Sequence, residues 1–159
     1  MINKGMRGFT LIEMLIVVGI VTALSVVGVP NYLNHRQQVA INSEADKILA
    51  FVRDAVSKAK SQEGGEVWAI EFVNNGDNDY YQLRKGGAEG VPVNKTYLGS
   101  GVEFIEGTTY TVTVLSGGPN VQILPSADFV LEAHLRTKNG NFTSMVSMDA
   151  LGRGWLGQP

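Results

Sequence analysis

The apolar and polar positions divide the chain into three patterns. A short head, residues 1–8, carries Lys4 and Arg7. From Phe9 to Val29 almost every side chain is apolar, with Thr10, Gly19, Thr22, Ser25 and Gly28 as mild exceptions and Glu13 as a strong one. About 20 apolar residues cover the hydrocarbon core of a bilayer, so this run is long enough to span one as a helix. After Pro30 the pattern becomes one-sided. Ile41, Ala45, Ile48, Val52, Ala55 and Ala59 recur at alternating spacings of four and three, and Leu49 and Val56 widen the stripe. Asn42, Asp46, Arg53, Ser57 and Lys60 fall on the opposite face. That period predicts an amphipathic continuation of the helix. Asp54 and Lys58 stand at i,i+4 in the favourable order. Gly64-Gly65 supplies a stop. The predicted helix runs from Phe9 to Gln62, on the order of 80 Å at 1.5 Å per residue.

From Glu66 onward the pattern is that of strands. Glu66 to Val73 and Tyr80 to Arg84 are rich in β-formers and flank a polar turn, which predicts a hairpin. Gly86 to Asn94 reads as a glycine-containing loop. Further strands are predicted at Val102 to Ile105, Tyr110 to Leu115, Val121 to Leu124 and Phe129 to Thr137. Asn139-Gly140 predicts a tight hairpin turn, because these residues tolerate positive φ. Phe142 to Met148 returns, Asp149 to Arg153 turns again, and Gly154 to Leu156 adds a short last strand. The fold class is α+β: a long N-terminal helix packed on a mostly antiparallel sheet.

Composition narrows the chemistry. The 159 residues suit one anchored helix and one modest domain. Thirteen basic side chains face fifteen acidic ones, and no basic run occurs outside the head, so direct nucleic-acid binding is not expected. There is no cysteine, which excludes disulfides, thiol catalysis and cysteine-ligated metal. A basic head before an apolar run also fits a secretory signal. However, the run is longer than a usual signal core, and the small-x-small candidate Ala23-Leu24-Ser25 lies inside it. Lys4 and Arg7 place the N-terminus on the cytoplasmic side.

The run Gly8-Phe9-Thr10-Leu11-Ile12-Glu13 resembles the prepilin motif of type IV pilins and type II secretion pseudopilins. The resemblance implies the pilin fold. It also implies a membrane peptidase that cuts between Gly8 and Phe9 and methylates the new amine of Phe9. Glu13 then becomes the fifth mature residue, where the family places its glutamate, and Pro30 falls where it places a helix-bending proline. The implied divisions are a cleaved leader (1–8), a transmembrane and filament-core helix (9–30), its amphipathic continuation (31–63) and a β-rich domain (64–159). Losing Lys4 and Arg7 with the leader leaves 11 basic against 15 acidic side chains. The C-terminal half is more loosely similar to minor pseudopilins of the H type and related minor pilins, on Ala55 to Val67 and Ser147 to Trp155.

The resemblance implies partners rather than cofactors: other pilin or pseudopilin subunits, prepilin peptidase, an inner-membrane assembly platform with its cytoplasmic ATPase, and lipid. It places the chain in the bacterial cytoplasmic membrane as a single-pass protein with its C-terminal domain outside the cytoplasm. The function implied is that of a structural subunit, not an enzyme, of a type IV pilus or secretion pseudopilus. The rival is a membrane-anchored extracytoplasmic binding module that does not polymerise.

Among single residues, Glu13 stands out. A charge at the centre of a membrane helix costs about 2.5–3.5 kcal/mol on insertion scales, so it marks a functional position by default. The family pairs it with the amine of Phe9 on a neighbouring subunit. Pro30 predicts a kink, since it removes one helical hydrogen bond. Asn74, Asn75, Asp77, Asn78 and Asp79 make an oxygen-rich loop of the kind calcium favours. It lacks the order of a calcium loop and reads as a solvated turn. His35 and His134 have no ligand-spaced partner. No metal or cofactor is expected, and no nucleophile motif or phosphate loop occurs.

Overall fold

The structure, a computed structural model, describes residues 8–61, 66–76, 78–106, 108, 113–115, 123–124, 131–149 and 153–157. One helix, α1 (Leu11–Ser61), is followed by nine strands. They are β1 (Trp68–Val73), β2 (Tyr80–Lys85), β3 (Val91–Tyr97), β4 (Val102–Phe104), β5 (Thr113–Leu115), β6 (Ile123–Leu124), β7 (Leu131–Thr137), β8 (Thr143–Met148) and β9 (Gly154–Gly157). The arrangement is α+β, as the residue pattern predicts. The chain divides into two compact units, Met1–Arg36 and Gln37–Pro159.

In the second unit the predicted helical stripe is the core. Ile41, Ala45, Ile48, Leu49, Val52, Ala55, Val56 and Ala59 are all buried. They pack with Trp68, Ile70 and Phe72 of β1, Tyr81 and Leu83 of β2, Phe104 of β4, and Leu131, Ala133 and Leu135 of β7. Asn42, Asp46, Arg53, Ser57 and Lys60 are exposed, and Lys58 bonds Asp54 as the i,i+4 spacing predicts. Phe51 meets Tyr81 edge-on, with ring centroids 4.7 Å apart. Burial, with the Glu44 carboxylate nearby, pushes the Tyr81 phenol up from its ordinary pKa.

Two sheets form where the residue pattern predicts one. The first has the order β3-β2-β1-β5-β6 and the second β4-β7-β8-β9, every described pairing being antiparallel. Asp79, at the start of β2, joins them. Its Oδ2 accepts the N–H of Phe104 on β4 at 2.7 Å, and its Oδ1 accepts the N–H of Asn75 at 2.9 Å. Asn74 donates through Nδ2 to the Phe104 carbonyl at 3.2 Å. Asn74, Asn75 and Asn78 are exposed, as a solvated turn requires, but Asp79 is 4% exposed and departs from that expectation. Asp77 lies outside the described residues.

The largest departure is β3. Its first four residues fall in the stretch expected to be a loop, because Pro92 and Asn94 are poor strand formers. Proline is tolerated on a sheet edge, where one missing donor leaves no broken ladder, and β3 is such an edge. The register slips between Leu83 and Arg84. The turn before β3 is tight: a Cβ built on Gly90 collides with the Lys85 carbonyl oxygen. Gly90→Ala is therefore expected to cost about 2–3 kcal/mol of stability, read by urea unfolding of the detergent-solubilised chain.

Smaller boundaries differ too. The helix starts at Leu11 rather than Phe9. Its expected stop at Gly64-Gly65, and the expected strand residues 110–112, 121–122 and 129–130, lie outside the described residues. Gly140 takes φ +77° in the predicted β7–β8 turn. Asp149 closes the β8–β9 turn by accepting from the Arg153 backbone N–H at 2.9 Å and from its Nε at 2.7 Å; residues 150–152 between them lie outside the described ones.

Candidate functional site at the start of the helix

In the first unit no apolar side chain among the described residues finds a core. Phe9, Leu11, Ile12, Leu15, Val18 and Leu24 are 61–79% exposed, and the other large apolar residues through Val29 whose side chains are described are exposed as well. A soluble monomer rarely leaves so large an apolar surface bare. Among the described residues, α1 is the one helix long and apolar enough to cross a membrane. Its mild polar residues are satisfied within it. Thr22 Oγ1 donates to the Val18 carbonyl and Ser25 Oγ to the Val21 carbonyl, both at 2.8 Å. Such back-bonding lets a hydroxyl sit in hydrocarbon without an unpaired donor. Pro30 lies inside α1, which continues through it without the N–H that would close on Val26.

Glu13 occupies the first turn of α1. Its Oε2 accepts both the backbone N–H and the Oγ1–H of Thr10, each at 2.8 Å. The Glu13 N–H donates in return to Thr10 Oγ1 at 3.3 Å. Thr10 is thus the N-cap and Glu13 the third helical residue of a capping box, which satisfies two donors that the helix start would leave bare. The negative charge also suits the positive end of the helix dipole. This explains why α1 begins at Leu11. The Thr-x-x-Glu spacing carries the signal in the sequence, where it is masked by the oddity of a carboxylate in an apolar run.

Gly8 and Phe9 precede the helix. Both are exposed, and a Cβ built on Gly8 meets no atom within 4 Å. The Gly8–Phe9 bond therefore lies in open, non-helical backbone. The structure brings Glu13 to Thr10. Phe9 of a neighbour is not part of a single chain. Thr10→Val removes the cap hydroxyl and is expected to destabilise the first turn by about 1 kcal/mol. Amide exchange at Glu13 and Met14 in detergent micelles should rise roughly fivefold.

The remaining sequence candidates lie elsewhere. His35 is exposed on α1. His134 Nε2 is 3.1 Å from Glu132 Oε2 on β7. Both Asp79 oxygens already serve backbone amides, and among the described residues no three acids or histidines gather as a metal site.

Comparison with known proteins gives two matches that include this end of the chain or part of its length. The family model for the prokaryotic N-terminal methylation motif matches residues 3–29. Prepilin peptidase-dependent protein D of Escherichia coli (strain K12) is 41% identical over 74 residues, which cover 45% of this chain and 46% of that protein. The chain thus spans about half the length of this curated relative. No solved structure matches. With the motif at its head, one long helix and antiparallel sheets behind it, the chain is similar to type IV pilins and pseudopilins.

Proposed function

We propose that the chain is a structural subunit of a type IV pilus-like fibre or secretion pseudopilus, assembled through its N-terminal helix. The observation that carries this reading is a capped carboxylate, Glu13, at the head of a helix whose described large apolar side chains up to Val29 are all exposed. Lipid suits that surface before assembly, and the same surface of other copies suits it afterwards. Residues 1–8 are the leader, cut between Gly8 and Phe9 by prepilin peptidase, and Phe9 is then methylated. The name of the Escherichia coli relative supports the processing step.

In this reading residues 9–30 form the membrane and filament-core segment, residues 31–63 its amphipathic continuation, and residues 64–159 the domain outside the cytoplasm. Glu13 exchanges its Thr10 bonds for the cationic amine of Phe9 on a neighbouring subunit. A carboxylate that is costly alone in hydrocarbon becomes tolerable when paired, and the pairing fixes the axial offset between copies. Pro30 leaves one carbonyl without its helical donor and is where the helix loosens on packing. A cytoplasmic ATPase and a membrane platform supply the work. The lack of cysteine leans towards the pseudopilus.

The test is co-production of the chain with prepilin peptidase, the platform and the ATPase, followed by shearing of the cells. Filaments containing the chain are expected in the sheared fraction. Without the ATPase the chain should remain in membranes. Equal recovery with and without the ATPase would contradict assembly.

A further inference from the structure

Two of the described sheet edges in the second unit differ in character. One is β3, the last strand of its sheet. Val93, Lys95 and Tyr97 share one face of it, as alternate residues of a strand do. Val93 is 57% and Tyr97 55% exposed. The Lys95 ammonium lies 3.6 Å from the Tyr80 ring centroid and 4.9 Å from that of Tyr97, with no carboxylate beside it among the described residues. The other edge is β9, the last described strand of the second sheet. Beside it runs an open groove of about 420 Å³ lined by Asn42 and Asp46 of α1, Thr143 and Ser144 of β8, and Leu156 and Gly157 of β9. Asp46 is exposed and joins no ion pair among the described residues.

These edges complement each other. One offers a cation flanked by apolar side chains, and the other an unpaired carboxylate beside an exposed leucine. We propose that β3 of one copy adds as a strand to β9 of a second copy, seating Val93 against Leu156 and Lys95 against Asp46. Pro92 has no N–H to offer, so pairing begins at Val93 and runs over Val93–Thr96 against the four residues of β9, about 13 Å of strand. Exposed edges are ready templates for such addition. Because the two edges differ, each contact leaves one of each kind free. A head-to-tail contact of this kind builds an open row rather than a closed dimer. The inference rests on the reading that copies of this chain assemble, and it names where their outer domains touch.

The absence of native cysteine makes the contact directly testable. The full chain carrying Val93→Cys with Leu156→Cys, produced with its processing and assembly machinery, is treated with a short bismaleimide. Membranes and the sheared fraction are both analysed. A ladder of multimers is expected from the double variant, dimers at most from either single variant, and no ladder from Val93→Cys with Glu66→Cys. Lys95→Glu or Asp46→Lys, added singly, should reduce the ladder about tenfold, since an attraction becomes a repulsion. The two together should restore it. No ladder in either fraction, an equal ladder from the Glu66→Cys pair, or no rescue by the charge swap would overturn the contact. Filaments without a ladder reject this contact alone. A ladder in membranes without filaments supports the contact and counts against the fibre.

Discussion

Glu13→Ala is expected to leave the chain firmly in the membrane and to remove it from the sheared filament fraction. The two effects have opposite signs, which makes the variant informative. Insertion should be as good or better, because a carboxylate in the apolar segment costs up to about 2.5–3.5 kcal/mol at the bilayer centre and alanine costs almost nothing. Assembly should fail, because the Phe9 amine of the neighbour would then lie buried without its anion. Breaking a buried pair by removing one partner costs about 3–5 kcal/mol, or at least a hundredfold in each subunit contact. Glu13→Gln separates charge from capping. Its side-chain oxygen can still accept from Thr10, so the helix start survives, yet the charge is gone. Recovery of sheared chain should fall as far with glutamine as with alanine. A solitary anchor would show normal membrane levels for all three forms and no filament for any.

The second large effect is expected at Asp79. Asp79→Ala removes the acceptor for Phe104 N–H, which bonds at 2.7 Å in a buried setting, and for Asn75 N–H. A buried donor stripped of its partner costs about 1–3 kcal/mol, and bonds to a charged group stand at the upper end. The variant should lose about 3 kcal/mol, measured as a shift of the urea midpoint for the detergent-solubilised chain. Asp79→Asn can accept from one amide only and turns an N–H towards the other. It should lose about half as much. The loss falls on the joint between the two sheets, so amide exchange at β4 should rise before exchange at the Ile48 and Val52 turns of α1.

What could be read from the residues follows from the range of the interactions. The buried stripe from Ile41 to Ala59 was legible because a helix repeats its face every three or four residues. The β1–β2 and β7–β8 hairpins were legible because their partners are close in sequence and Gly140 marks a turn. β3 was not, because an exposed edge strand needs no apolar alternation and tolerates Pro92. Asp79 was not, because Phe104 lies 25 residues further on and only folding reveals that the aspartate is buried. Glu44, 6% exposed and 2.7 Å from Lys47 Nζ, sits beside the buried stripe of Ile41 and Ile48, and its burial likewise appears only in the folded chain. At the site itself, Gly8, Phe9 and Glu13 stood out through their order. Thr10 did not, although its spacing to Glu13 is that of a capping box.

Assembly through α1 depends on the chemistry of the N-terminus. The most direct measurement is the intact mass and N-terminal residue of the chain purified from its native membranes. The expected result is a chain that begins at Phe9 with a methylated amine, free to pair with Glu13 of a neighbour. A chain that still begins at Met1, in cells whose prepilin peptidase is active, would contradict it and leave α1 as a simple anchor.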